Sequence, residues 1–223
     1  MGRFADTFLN WAVMAQYAPK IVEGTWVTIQ LALAVVIAGI ACGLFLSVLR
    51  AFRFRAINVL IVFAVDVLRA LPPLVIIIAF YFALPAAGVR MSAWVSTWLA
   101  LSLVLMAFSE EIFWAGILAV PRGQWEAARS TGLSFLQTLR DVVLPQAVRL
   151  TIPPLTNRTI AITKNTALGA VVAVGEILYQ AQSAYSFSYN PSPLLLGAAA
   201  YLILFIPVVY FGRWVETRFA WKR

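Results

Sequence analysis

Long apolar stretches without a charged residue dominate the pattern along this chain. Four of them lie at 24–49, 70–89, 91–109 and 177–212. A membrane-spanning helix needs about 20 mainly apolar residues, and each stretch approaches or exceeds that length. Hydrophobic residues make up 62% of the sequence, above the roughly 45–50% of an ordinary soluble domain. The pattern predicts an all-α integral membrane protein embedded in a lipid bilayer.

The charges and prolines divide this apolar sequence into five predicted helices. They span about 24–49, 57–85, 91–118, 154–180 and 194–212. The turn-rich segment Asn190–Pro193 separates the last two. Proline lacks a backbone donor, so Pro72, Pro73 and Pro207 predict kinks. Lys164 interrupts the fourth helix, and four helices are therefore the alternative count.

Lysine and arginine concentrate in alternate loops, and such residues stay on the cytoplasmic side of a membrane. With five helices, the predicted N-terminus is outside and the C-terminus inside. The cytoplasmic set is Arg50, Arg53, Arg55, Arg122, Arg129, Arg140, Arg149, Arg213, Arg218, Lys222 and Arg223, and the opposite set is Arg3, Lys20 and Arg90. The net charge of +8 is then an orientation signal, and nucleic acid is not a predicted partner.

The residue types that the sequence lacks limit the reactions that this chain can catalyse. The sequence has no histidine and one cysteine, Cys42, so the familiar histidine and cysteine metal sites are excluded. It also has no phosphate-binding GxxxxGK[ST] loop, so any ATP must be hydrolysed by another chain. Glu110 and Glu111 are neighbours and should point to different faces of a helix. We predict no catalytic residue, no metal site and no cofactor bound by this chain.

The longest hydrophilic segment, 121–151, is too short for a core of its own, so we treat 1–223 as a single domain. A short helix from Gln124 to Arg129 should end at Gly132, a residue type that tolerates the left-handed backbone past a helix end. Ser134 and Gln137 have the spacing of a capping box. A second helix should follow, and the two should pack as a hairpin.

This second helix repeats Phe135, Leu139 and Val142 at helical spacing, and Pro145 should end it. In the first helix, Ala127 and Ala128 keep the surface thin enough to enter a groove on a partner. Glu126 and Arg129 offer charge to the rim of that groove. An ordinary solvated loop is the alternative interpretation.

Ionisable residues inside a bilayer are costly and need partners or water. Asp66, Arg69 and Lys164 are the candidates for a substrate pathway. The alternative is a structural Asp66–Arg69 pair on one helix face, with Lys164 and Arg158 reaching the lipid headgroups. Glu176 is either an outer gate or the end of the fourth helix.

The segment Glu126–Ala147, EAARSTGLSFLQTLRDVVLPQA, resembles the EAA loop of ABC importer permeases. Further similarity to the polar amino acid branch of that family (histidine, glutamate, glutamine, arginine and opine permeases) runs along the chain in the family's order. The matching residues are Arg69, Pro72, Leu74, Tyr81, Phe82, Glu111, Gly116, Ile117, Gly123, Gln124, Glu126, Ala127, Ala128, Gly132, Leu133, Leu144, Pro145, Gln146, Ala147, Lys164, Thr166 and Leu168. The departures are Glu110, Trp114, Ala115, Asn165 and Ala167.

The resemblance implies a MetI-like transmembrane fold of the type I importer architecture in a bacterial inner membrane. It implies a second permease subunit, identical or homologous, two ATP-binding subunits that hold ATP and Mg, and an external solute-binding protein. The residues that couple to the ATPase would be Glu126, Ala127, Ala128, Arg129 and Gly132. The alternative functions are a membrane scaffold or assembly subunit and a channel without ATP coupling.

Overall fold

The computed structural model describes residues 7–219, and the regular elements in that part of the chain are helices joined by short turns. Arg3, Lys222 and Arg223 of the orientation argument lie outside it. The helices are α1 (Trp11–Ala51), α2 (Arg55–Ala70), α3 (Pro73–Ile78), α4 (Ala93–Ala119), α5 (Arg122–Ser130), α6 (Phe135–Gln137), α7 (Leu144–Lys164), α8 (Ile177–Ser188) and α9 (Ser192–Phe219). Shorter turns connect some of them: π-helical turns at Ala79–Ala83 and Thr138–Val143, and 3-10 turns at Leu84–Ala87 and Asn165–Val172.

Helix α1 begins well before the predicted residue 24. The Asn10 side chain caps it by accepting a hydrogen bond from the Val13 backbone N–H at 3.2 Å, as an N-cap residue does. The charges that suggested a later start, Lys20 and Glu23, lie exposed on the helix as a pair 3.9 Å apart. At 1.5 Å per residue, its 41 residues extend about 60 Å, twice the thickness of a hydrocarbon core.

The predicted helix 57–85 is broken, and not merely kinked, at its prolines. Leu71 and Pro72 both leave the helical conformation, each with ψ of 134°. A residue that precedes proline is disfavoured in the α conformation, and here two prolines follow in succession. Pro73 then starts α3 at its first position, where its missing N–H costs least.

The predicted helix 154–180 has wrong bounds at both ends. Pro145 does not end the preceding helix, because α6 continues through the π-helical turn into α7. Pro145 lies in the first turn of α7, directly after that wider turn. At the other end, Ala173 adopts a left-handed conformation with φ of 63°, and a new helix begins after Glu176.

Within residues 7–219, three helices, α1, α4 and α9, are long and apolar enough to span a membrane, and the number rises to five if each bent pair counts as one span. α9 continues through Pro207 without interruption. Large apolar side chains point outward from these elements; Ile203 and Phe63 are 75% and 68% exposed. Such a surface is unfavourable in water and suits a lipid environment.

The described residues, 7–219, form two compact units. The first contains the residues up to Val36, Pro72–Ser102 and Ile162–Tyr210. Its core includes Ile21, Ile177 and Ala181. The second contains Ile37–Leu71, Leu103–Ala161 and the residues from Phe211 onward.

Within the second unit, α1 and α4 pack closely. A Cβ atom added at Gly43 would lie 2.5 Å from the Cβ of Ser109, so only glycine permits this approach.

Candidate functional site

The hydrophilic hairpin folds on an aromatic and aliphatic core within the second unit. Trp125 of α5 stacks on Phe135 of α6 with ring centroids 5.7 Å apart, and Phe52 meets Phe135 edge-on at 5.5 Å. Leu139 and Val143 of the π-helical turn are fully buried beneath α5. The predicted helical hairpin is confirmed, with Val143 in the core position expected for Val142.

The turn of the hairpin is held by the predicted signals. Gly132 has φ of 89°, a left-handed conformation that glycine adopts without strain. Ser134 and Gln137 form the capping box: the Ser134 N–H donates to the Gln137 side chain at 2.8 Å, and the Gln137 N–H donates to the Ser134 hydroxyl at 3.3 Å. The position of α5 relative to α6 is therefore fixed by backbone geometry and not only by packing.

One face of α5 points outward and the other is buried. Glu126, Ala127 and Arg129 are exposed, whereas Ala128 is buried against the hairpin core. The two alanines thus have different roles: Ala128 permits close packing within the chain, and Ala127 leaves the outer surface thin. Among the described residues other than its two chain neighbours, no atom lies within 4 Å of a Cβ added at Gly132, so this turn is open to a partner.

A cavity of about 470 Å³ lies beside this hairpin. Its wall combines charged residues, among them Arg53, Arg122 and Glu126, with the rings of Trp114 and Trp125. This hairpin therefore presents a charged helix edge next to a concave aromatic surface, which is a suitable shape for docking another protein.

Arg69, one of the charged residues of the predicted pathway, has a partner that the sequence did not identify. Arg69 makes its short ion pair with Glu111, at 2.6 Å, while Asp66 lies 4.0 Å away and is mostly exposed. The expected Asp66–Arg69 pair is thus the weaker of the two. The guanidinium carbon of Arg158 lies 3.1 Å from the centroid of the Phe108 ring.

Glu110 and Glu111 point to different faces of α4, as predicted. Glu110 is fully buried and pairs with Arg50 at 3.0 Å, and Arg50 also lies over the ring of Trp114 at 4.7 Å. Glu110 and Trp114 are two of the departures from the family pattern. The structure brings both to the same arginine.

Lys164 belongs to the first unit and is exposed at the end of α7. Among residues 7–219 it has no ion-pair partner. Glu176, in the same unit, is buried and caps α8: it accepts a hydrogen bond from the Tyr179 N–H at 2.8 Å and another from the hydroxyl of Tyr201. It therefore starts a helix, and the prediction that it ends the fourth helix is wrong.

Comparison with known proteins identifies the family. Residues 19–221 match the family described as binding-protein-dependent transport system inner membrane component, and the chain belongs to it. It is 32% identical over 207 residues to the probable amino-acid ABC transporter permease protein YckA of Bacillus subtilis, covering 92% of each chain. It is 31% identical over 211 residues to the probable glutamine ABC transporter permease protein GlnM of the same organism, covering 94% of this chain and 98% of that one.

The fold agrees with a solved structure described as an amino acid ABC transporter with histidines. The TM-score is 0.83 at 30% identity, over 92% of this chain and 96% of that chain. The protein is therefore a permease component of the inner membrane. Its system includes a binding protein and an ATPase, and ATP hydrolysis lies in the ATPase subunit.

Proposed function

We propose that this chain forms half of the membrane pathway of an ATP-driven importer for polar amino acids or related small solutes. The observation that carries the proposal is the packed hairpin, whose outward face and open glycine turn suit docking to another subunit. The amino acid class is supported by the names of the relatives, which include amino acid and glutamine permeases.

The proposed topology has five spans, with the N-terminus outside and the C-terminus in the cytoplasm. The helices α1, α4 and α9 supply three spans, and the bent pairs supply the other two. The arginines near the ends of α1, α4 and α9 support this orientation. Residues 1–223 then form one permease domain, whose segment 121–151 lies in the cytoplasm.

The proposed coupling element is α5 with the turn after it. Glu126, Ala127, Arg129 and Gly132 form its outward surface, and Ala128, which is buried, packs the helix on the hairpin core. Ala127 keeps the helix surface low enough to enter a groove, and the two charged residues contact the rim of that groove. Closing of two ATPase subunits around ATP would move two such hairpins together. The attached helices would then open the pathway towards the external binding protein.

A second permease subunit would complete the pathway. Asp66, Arg69 and Lys164 are proposed to face this pathway, because charged side chains that point to lipid are unfavourable. A zwitterionic amino acid presents both a carboxylate and an ammonium group, which residues of both signs can bind.

Uptake into proteoliposomes tests the proposal. The chain is reconstituted with its ATPase and binding protein, and a panel of labelled amino acids is offered outside with or without ATP inside. We expect accumulation of at least one amino acid that requires internal ATP and the binding protein. Equal uptake without ATP would indicate a channel. A rate of ATP hydrolysis that does not change with any loaded binding protein, together with no uptake, would indicate a scaffold.

A further inference from the structure

The strongest unassigned feature is the environment of Arg158, in the middle of α7. Its guanidinium carbon lies 3.1 Å from the ring centroid of Phe108. Its Nε is buried and has no hydrogen-bond partner in the described part of the chain. Within residues 7–219, no carboxylate lies at ion-pair distance from it. The described chain thus places a cation on an apolar ring and supplies no anion to neutralise it.

Arg69 lies near the same ring, with its guanidinium carbon 5.3 Å from the centroid of Phe108. One terminal nitrogen of Arg69 pairs with Glu111 at 2.6 Å. Its Nε, like that of Arg158, is buried and has no hydrogen-bond partner among the residues that the structure describes. Two guanidinium groups therefore share one aromatic ring, and only one of them has a close carboxylate.

Both arginines lie far along their helices. Arg69 is about 20 Å along the axis from the start of α2 at Arg55, and Arg158 is about 10 Å along the axis beyond residue 151. In the proposed topology Arg55 and residue 151 are on the cytoplasmic side, so both guanidinium groups lie within the membrane-spanning part of their helices. A charge at that depth is costly, and charges found there typically serve a pathway or a ligand.

When a guanidinium stacks on a ring, the ring covers one face of the group. The N–H groups, which lie in the plane of the guanidinium, remain free to donate hydrogen bonds. Two adjacent N–H groups form a fork that matches the two oxygens of a carboxylate. Stacking on Phe108 also holds this fork in one orientation. A partly buried pair of arginines with unsatisfied N–H groups is therefore suited to bind a carboxylate.

We infer that Arg158, assisted by Arg69 and positioned by Phe108, binds a carboxylate of the transported solute, and that Glu111 lies close enough to take its ammonium group. This inference rests on the proposed import of amino acids, and it assigns the contact that recognises the carboxylate. The carboxylate is either the α-carboxylate common to amino acids or one carried on the side chain.

Binding to the purified permease–ATPase complex in lipid nanodiscs tests the inference. The probes are the amino acid that gives the highest ATP-dependent uptake, its α-amide, and L-glutamate. The variants are Arg158→Gln, which removes the charge, and Arg158→Lys, which keeps the charge without the fork. Arg149→Gln is the matched control, since Arg149 is an exposed arginine on the same helix.

For Arg158→Gln we expect binding of the transported amino acid to weaken by about ten- to a hundredfold, the range of a charge-assisted contact. Arg158→Lys should fall between that variant and the wild type, and Arg149→Gln should bind normally. The wild-type complex should bind the α-amide weakly if the α-carboxylate is recognised. If a side-chain carboxylate is recognised instead, L-glutamate should bind best and be the probe most affected by Arg158→Gln.

Two measurements separate this inference from the proposed function. The ATPase subunit should still copurify with Arg158→Gln, because the hairpin is untouched. The carboxylate site is overturned if Arg158→Gln binds the amino acid with wild-type affinity, or if the wild-type complex does not bind the transported amino acid. Neither result contradicts ATP-driven import. If no amino acid is taken up at all, the proposed function fails, and this inference fails with it.

Discussion

Replacing Glu110 by glutamine removes one charge from a buried ion pair and keeps the shape of the side chain. One terminal nitrogen of Arg50 contacts both Glu110 oxygens, at 3.0 and 3.2 Å, and the Glu110 side chain is fully buried. Removing one partner of a buried pair costs about 3–5 kcal/mol, because the other charge remains poorly solvated. Arg50 is 20% exposed and stacks on Trp114, so part of that cost is relieved. We expect a loss of about 2–3 kcal/mol in the free energy of unfolding.

Unfolding by SDS in mixed micelles, followed by circular dichroism, measures this loss. Glu23→Gln is the matched control, because Lys20 and Glu23 form an exposed pair, 3.9 Å apart, for which we expect a loss below about 1 kcal/mol. The double variant Arg50→Met/Glu110→Gln should regain at least about 1 kcal/mol relative to additive single effects, since no unpaired charge remains. Equal losses for Glu110→Gln and Glu23→Gln, or an additive double variant, would refute this reasoning.

Three further outcomes follow from the described geometry. In a Cys42→Ala background, Ser92→Cys should react with an impermeant thiol reagent outside intact cells and Ser134→Cys should not; the reverse pattern contradicts the topology. Gly132→Leu should cost about 1–2 kcal/mol of backbone strain and abolish uptake. Gly132→Asn should retain most uptake, because asparagine tolerates a left-handed backbone. Equal uptake by both variants contradicts the role of this turn. Arg69→Met should lower the rate of uptake several-fold while the ATPase still copurifies, and normal uptake kinetics would return Arg69 to a structural role.

The apolar pattern predicted the class of fold and the helices that lack interruptions. The third predicted helix, 91–118, corresponds to α4, Ala93–Ala119. The hairpin was also predictable, because its turn depends on local signals at Gly132 and Ser134. Local signals of this kind are visible in sequence because they act over three or four residues.

The remaining features depend on contacts and conformations that a linear pattern does not contain. The π-helical turn allows the chain to pass Pro145, and Ala173 takes a left-handed conformation that usually favours glycine. The Arg50–Glu110 pair joins residues that are 60 positions apart. Arg158 is recognisable as a site residue only once Phe108 is found beside it.

Site-specific photocrosslinking tests the central claim, that the outward face of α5 is the contact with the ATPase. A photoreactive amino acid is placed at Ala127, which is exposed on α5, or at the control position Phe187, which is 77% exposed on α8 and outside in the proposed topology. In membranes that contain the complete transporter, we expect an adduct with the ATPase subunit from position 127 and none from position 187. An intact complex that gives no ATPase adduct from position 127, or gives one only from position 187, would contradict the account.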